Sequence, residues 1–267
     1  MKSLEQNCTL LVNSCDSYSD CWDGFFALLK IQWKNFSMPV VLNTESLSYD
    51  CEGLNVRTLQ LYQKGKNPSW GKRLIETLKR IDTKYVLFAL DDFYLSSPVR
   101  EDVLEQCYAA MEKNEKIAYF SFLYAPDDKA VPSKDFPGFE RRTPGAAYTL
   151  NCQFALWNRE KLLHYVRAHE SPWEWELYGS RRTARGDDVF YSLCKDAAPV
   201  FDYLNGSIVM RGRWYMARVK PLIEQYHLQV DLSRRGSYEE FVQSEQPAKR
   251  KLLRGIKNRV HKILSLV

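Results

Sequence analysis

Two adjacent carboxylates, Asp91 and Asp92, close the most apolar run of the chain, Tyr85 to Leu90 in the stretch YVLFALDDFYLSSP. Acids at the carboxyl end of a strand can hold Mg²⁺ or Mn²⁺ against phosphate groups, because hard oxygen donors suit those ions and leave part of the shell to a substrate. The plainer alternative has one acid capping the next turn and the other solvated. A second acidic pair, Glu174 and Glu176 in ESPWEWELYGSRR, offers a general base for taking a proton from a hydroxyl. Ser171 followed by Pro172, with Glu174 three residues on, satisfies the capping-box pattern and gives Glu174 a structural occupation; Glu176 has none, so it is the preferred base and Glu174 the second. Trp173 and Trp175 are either core residues or surfaces for stacking sugars. Arg141, Arg142, Arg181, Arg182, Arg185, Arg211 and Arg213 are positive charges that can neutralise a phosphate-bearing group as it departs. Asp187 and Asp188 read as caps of a helix opening there, and His227 stands alone, too weak a signal for a metal site.

These residues need a scaffold, and the alternation of strand-like and helix-like segments supplies one. With 267 residues, 45% hydrophobic and 13% aromatic, the chain can bury a full core. Thr9 to Asn13 reads as a short buried strand that breaks into a polar turn. From Cys21 to Trp33 the apolar residues recur at helical spacing behind Ser19 or Asp20 as cap. Strands are expected over 38–44 and 55–62. A helix follows from Trp70 to Ile81 with Ser69 as its cap, then the strand ending at Asp91, a helix from Val99 to Lys113, and a strand over 117–124. Residues 125–147, rich in proline and glycine, read as an irregular active-site loop. Residues 148–157 alternate strictly, with Leu150, Cys152, Phe154 and Leu156 on one face. A helix from Asn158 to His169, a turn over 171–178, a helix opening at Asp187 and short strands near 200 and 207 complete the body. Strands and helices in alternation imply a largely parallel sheet with right-handed crossovers, whose ligands collect beyond the carboxyl ends of the strands.

Composition excludes several classes. No apolar run approaches the roughly 18 residues of a membrane span, and the first residues lack the apolar core of a signal peptide, so a cytoplasmic protein is expected. The seven cysteines form no C-x-x-C pair, which argues against a disulfide framework or a structural zinc site. Between Pro247 and Val267 lie seven lysines and arginines and no acid, against a whole-chain charge of +5, so the remainder is net acidic. Leu252, Leu253, Ile256, Val260, Ile263, Leu264 and Val267 share one face of a helix through that tail. This predicts a body over 1–246 and, over 247–267, a basic amphipathic helix lying on an anionic membrane surface, peripherally at the inner face of the cell membrane. A net acidic body without a recognition motif argues against a nucleic-acid partner.

The segment WGKRLIETLKRIDTKYVLFALDDF resembles the helix, strand and acidic turn of GT-A glycosyltransferases, with Arg73 eighteen residues before Asp91. Together with NSCDSYSDCWDGFF, FALWNREKLL, SPWEWELYGSRR and VMRGRWY, in that order, it resembles bacterial enzymes of capsule, exopolysaccharide and O-antigen synthesis over most of residues 9–240. The resemblance implies an open mixed α/β sheet flanked by helices and transfer of a sugar, with inversion, from a nucleotide-sugar donor to a glycan or lipid-linked glycan acceptor. It also implies a donor site that includes Asp16, Trp70, Arg73, Asp91, Asp92, Arg181 and Arg182, with Asp92 and Asp91 on the metal. One departure stands out. The family's Asp-x-Asp is here Asp91-Asp92-Phe93, with a phenyl ring in the second carboxylate's slot, which puts the need for a metal in question. Two rivals are a nucleotidyltransferase, which would usually open on a glycine-rich basic phosphate loop absent from NSCDSYSD, and a non-catalytic glycan-binding protein on the same fold.

Overall fold

A computed structural model of the chain describes residues 3–66, 68–204 and 206–244; the basic helix expected over 247–267 lies outside them. A nine-stranded sheet forms the centre: β1 (Cys8–Val12), β2 (Val40–Leu42), β3 (Val56–Thr58), β4 (Tyr85–Ala89), β5 (Ile117–Ser121), β6 (Val131–Pro132), β7 (Phe139–Arg141), β8 (Ala155–Asn158) and β9 (Val189–Leu193), in the spatial order β3-β2-β1-β4-β8-β5-β9-β7-β6. Strands β1 to β4 run parallel, β8 is antiparallel to both β4 and β5, β9 is parallel to β5, and β7 and β6 close the edge antiparallel. This is the open mixed sheet flanked by helices that the resemblance implies. A small hairpin, β10 (Val209–Met210) with β11 (Arg213–Trp214), stands apart.

Alternation of side chains along the buried strands separates the core into two layers. Leu10, Val12, Leu87 and Ala89 pack with Phe25, Phe26 and Leu29 of the helix Trp22–Gln32 on one face. Leu11, Val86 and Phe88 pack with Leu74 and Leu78 of the helix Trp70–Leu78, and with Leu162 and Trp175, on the other. Each fully buried aliphatic or phenyl side chain contributes about 1.5–3 kcal/mol, enough for the sheet to override weak local preferences. Among the described residues no helix is long and apolar enough to cross a membrane.

Four sequence expectations change. The segment from Asp187 is strand β9, not a helix: Phe190 is buried between layers and pairs with Tyr119 of β5, while Asp187 and Asp188 bind Lys116 (2.7 Å) and Lys161 (2.5 Å). The alternating run 148–157 is strand only from Ala155. Upstream, its backbone N–H groups are taken by helix side chains, Leu150 by Ser180 Oγ (2.9 Å) and Cys152 by Glu176 Oε1 (2.8 Å). The expected turn over 171–178 is instead a helix in three pieces: Pro172–Glu174, a π-helical turn Trp175–Gly179, and Ser180–Arg182. Finally, 125–147 is no free active-site loop. It supplies β6 and β7, four strand positions from β4 and so roughly 19 Å away at ~4.8 Å per strand. Arg142, buried beneath it, donates to the carbonyls of Ala125 and Ala147.

Candidate functional site

The strand order reverses between β1 and β4, and the loops after those strands diverge to leave a crevice at their carboxyl ends, the position where open α/β sheets bind ligands. The loop after β1 carries Asn13, Ser14 and the 3₁₀ turn Asp16–Cys21; the turn after β4 carries Asp91 and Asp92.

The two carboxylates are not equivalent. Asp91 points into the packed interior, where its Oδ2 accepts from the Ser14 hydroxyl and from Trp22 Nε1 (3.0 Å). Burial, reinforced by the charge of Asp92, pushes its pKa up to about 8. Asp92 sits at the rim: Ser207 Oγ lies 2.6 Å from its Oδ2, Ile208 N donates to its carbonyl (2.9 Å), and its Oδ1 is buried without a hydrogen-bond partner. Burial raises it to about 6, with the Ser207 hydrogen bond and the field of Arg235 pulling the other way. At neutral pH the doublet therefore carries one negative charge, on Asp92. Asp91's expected place on a metal or donor is corrected accordingly: its oxygens serve the loop after β1, because an acid enclosed by two donors and an apolar layer cannot turn outward without stranding them.

Asp16 also faces the protein. Its carboxylate accepts from the backbone N–H of Glu45 (3.0 Å), Ser46 (3.0 Å) and Leu47 (3.2 Å) and from Ser46 Oγ (2.6 Å), and these donors hold its pKa low. Asp16 thus welds the loop after β2 to the loop after β1. Arg73 performs a parallel task from the helix Trp70–Leu78, donating to the Ser14 carbonyl and pairing with Glu45 (3.3 Å) while 7% exposed. Trp70 begins that helix and its ring meets Trp175 at 5.5 Å. All three border the crevice as its frame.

On the far wall, Glu174 closes the capping box with Ser171, as its spacing foretold: the Ser171 N–H donates to Glu174 Oε2 (2.8 Å) and the Glu174 N–H to Ser171 Oγ (3.3 Å). Glu176 lies in the π-helical turn, a device often found at functional positions because it re-aims side chains. Its Oε1 accepts from Cys152 N, no hydrogen bond reaches Oε2 within the described residues, and burial raises its pKa. Cys152 feels the charges of both Glu176 and Asp92, which places it between the two acids. Trp175 is core, its indole N–H on the Tyr165 carbonyl (3.1 Å), whereas Trp173 is 76% exposed.

The arginines divide by burial. Arg182, expected in the donor site, is 4% exposed and forms a two-pronged pair with Glu170 (2.6 and 2.7 Å), so the helix interior takes its charge. Arg181 is exposed beside the Tyr178 ring. Sequence reasoning overlooked Arg235. It grips Asp20 with two bonds (2.7 and 2.6 Å), donates to the Ser17 carbonyl (2.6 Å), and lies over the rings of Tyr18 and Trp214. It thereby clasps the Asp16–Cys21 turn beside Asp92. No local signal marks it, since its partner is 215 residues away.

For a divalent cation the fit is narrow. Among the described residues no group of three or more His, Cys, Asp or Glu could hold a metal. The one suitable donor is the orphaned Asp92 Oδ1, and Mg²⁺ accepts a single carboxylate when phosphates and waters complete its shell.

No family model matches the chain, and no curated protein sequence matches it. Among solved structures it is similar to Staphylococcus aureus TarS 1–349 at 15% identity, over 72% of this chain and 59% of that one, with a TM-score of 0.44. The same TarS fragment in complex with UDP-GlcNAc aligns at 15% identity over 97% of this chain and 79% of that one, TM-score 0.44. A mycobacterial protein aligns at 13% identity over 70% and 65%, TM-score 0.39. The first of these alignments spans about six tenths of the neighbour's length.

Proposed function

We propose that this chain is a glycosyltransferase that moves a sugar from a nucleotide-sugar donor to a glycan acceptor, lipid-linked or free, in bacterial surface-polysaccharide synthesis. The observation that carries the reading is Asp92: an ionised carboxylate with one buried, unpartnered oxygen, at the switch point of an open α/β sheet. The ordered resemblance of residues 9–240 supports it.

In this reading the loops welded by Asp16 and Arg73 hold the nucleotide, and Asp92 faces its diphosphate. Glu176 takes the proton from the acceptor hydroxyl through Oε2 as that oxygen bonds to the anomeric carbon. The bond from that carbon to the diphosphate oxygen breaks on the opposite face, which inverts the configuration. The raised pKa of Glu176 strengthens it as a base. Mg²⁺ or Mn²⁺, held by Asp92 Oδ1 and the diphosphate, would neutralise charge on the leaving group. Asp92 is the metal and donor residue of this proposal; Glu174, occupied by its cap, is not the base.

Thermal shift with uridine, guanosine and cytidine diphosphates and their sugars, with and without Mn²⁺, tests the assignment. Stabilisation by one nucleotide class, enhanced by Mn²⁺ and lost in Asp92→Asn, is expected; Mn²⁺ alone leaves the melting temperature unchanged. Indifference of the protein to every nucleotide removes the donor site.

A further inference from the structure

We propose that Trp173, with Leu177 one turn on, is the platform on which a pyranose ring of the acceptor stacks beside Glu176; this rests on the glycosyltransferase reading above.

The helix Pro172–Arg182 treats its two tryptophans oppositely. Trp175 is wholly buried, with its indole N–H satisfied, whereas Trp173 is 76% exposed and makes no ring contact or hydrogen bond within the described residues. Leaving an indole in water forgoes roughly 1.5–3 kcal/mol of burial, and Leu177, 39% exposed, extends the same apolar strip. Tyr148 (55% exposed, φ +56°) belongs to the segment whose Leu150 N–H is held by Ser180 of this helix. A single exposed apolar side chain needs no explanation, but this one has a position. Residues three apart on a helix are neighbours, so Trp173 adjoins Glu176, whose Oε2 is the open oxygen. Asp92, Cys152, Glu176 and Trp173 thus form a sequence from the donor end of the crevice to the outside. What must arrive at Glu176 from outside carries a hydroxyl. The C–H face of a pyranose matches an indole face, which prefers polarised C–H groups over its negative quadrupole, and Leu177 continues the contact under the next ring.

Tryptophan indole ¹H–¹⁵N spectra provide two reporters among the seven tryptophans. Trp22, bonded to Asp91 and Ser14, reports the donor end, and Trp173 the proposed platform; Trp22→Phe and Trp173→Phe assign them. Probes are uridine, guanosine and cytidine diphosphates, methyl pyranosides, and gluco- and chito-oligosaccharides at tens of millimolar. The expected result is that an oligosaccharide shifts Trp173 and leaves Trp22 in place, that a nucleotide shifts Trp22, and that Trp173→Ala weakens the oligosaccharide at least about tenfold with nucleotide affinity unchanged. A nucleotide response at Trp22 with no saccharide response at Trp173 overturns the platform and spares the donor site. A Trp173 shift that follows protein concentration instead of saccharide also overturns it, in favour of a contact between copies. A saccharide response at Trp173 with Trp22 silent to every nucleotide keeps the platform and removes the donor site.

Discussion

Asp91→Asn should make this protein more stable at alkaline pH and nearly erase the main pH dependence of its stability. The folded pKa of Asp91 is raised to about 8 from a model-compound value of 3.8. Between those values the folded chain binds a proton that the unfolded chain has released. Stability therefore falls as pH rises, by about 1.4 kcal/mol per unit, and the loss levels off only above the folded pKa. From about pH 5 to about pH 8 that amounts to about 4 kcal/mol, a large part of the 5–15 kcal/mol typical of a domain. Asparagine keeps an oxygen that can accept from both Ser14 and Trp22, so the packing survives while the titration is lost. Urea unfolding across that range, with the midpoint read from tryptophan fluorescence, should give a falling line for the wild type and a much flatter one for Asp91→Asn. Asp92, raised to about 6, retains a smaller slope of the same sign. Asp91→Ala, by contrast, strands two donors and should destabilise at every pH, by about 1–3 kcal/mol per group. Parallel lines for wild type and Asp91→Asn would refute the buried, protonated Asp91.

Glu176→Gln should lower the rate of transfer by about 10²–10⁴ with nucleotide affinity unchanged, whereas Glu174→Gln, which still completes a capping box, should leave transfer near wild type; steady-state kinetics separates them. Because burial raises the pKa of Glu176, the wild-type rate should climb with pH from below that raised value and reach its plateau above it, as a pH–rate profile would show. Breaking the buried Arg182–Glu170 pair from one side, as in Glu170→Gln, should cost about 3–5 kcal/mol in chemical denaturation, while replacing both residues by apolar ones of like volume should cost far less. Removing the Arg235 clasp with Arg235→Ala should weaken nucleotide binding about tenfold by calorimetry, through about 1.5–3 kcal/mol lost from charge-assisted bonds that order the Asp16–Cys21 turn, and Asp20→Ala should add little to it.

Much of the scaffold was legible because burial writes itself as pattern. Strands β1 and β4 are unbroken apolar runs, the helices at 22–32 and 70–78 carry apolar residues at helical spacing, and Ser171–Glu174 has the geometry its spacing implies. Strand β9 was lost because Asp187 and Asp188 imitate helix caps, and only Lys116 and Lys161, brought from elsewhere, show that their charge goes to ion pairs. At the crevice the sequence announced two acids but not their division of labour. Successive residues at a strand end turn to opposite sides, so one must face inward; which one depends on Ser14 and Trp22, and these come from another loop. The same holds for Asp16 and Arg182, whose partners are set by the tertiary fold.

The clasp between Asp20 and Arg235 also constrains the order in which the molecule can mature. Synthesis proceeds from the amino end, so the turn beside Asp92 is made early and waits until some two hundred further residues have emerged before its counter-charge exists. A nascent chain stopped short of residue 235 would hold a carboxylate, Asp20, almost wholly enclosed and opposed by nothing on that side. Competence at the donor end is thereby reserved for a polypeptide translated nearly to its close.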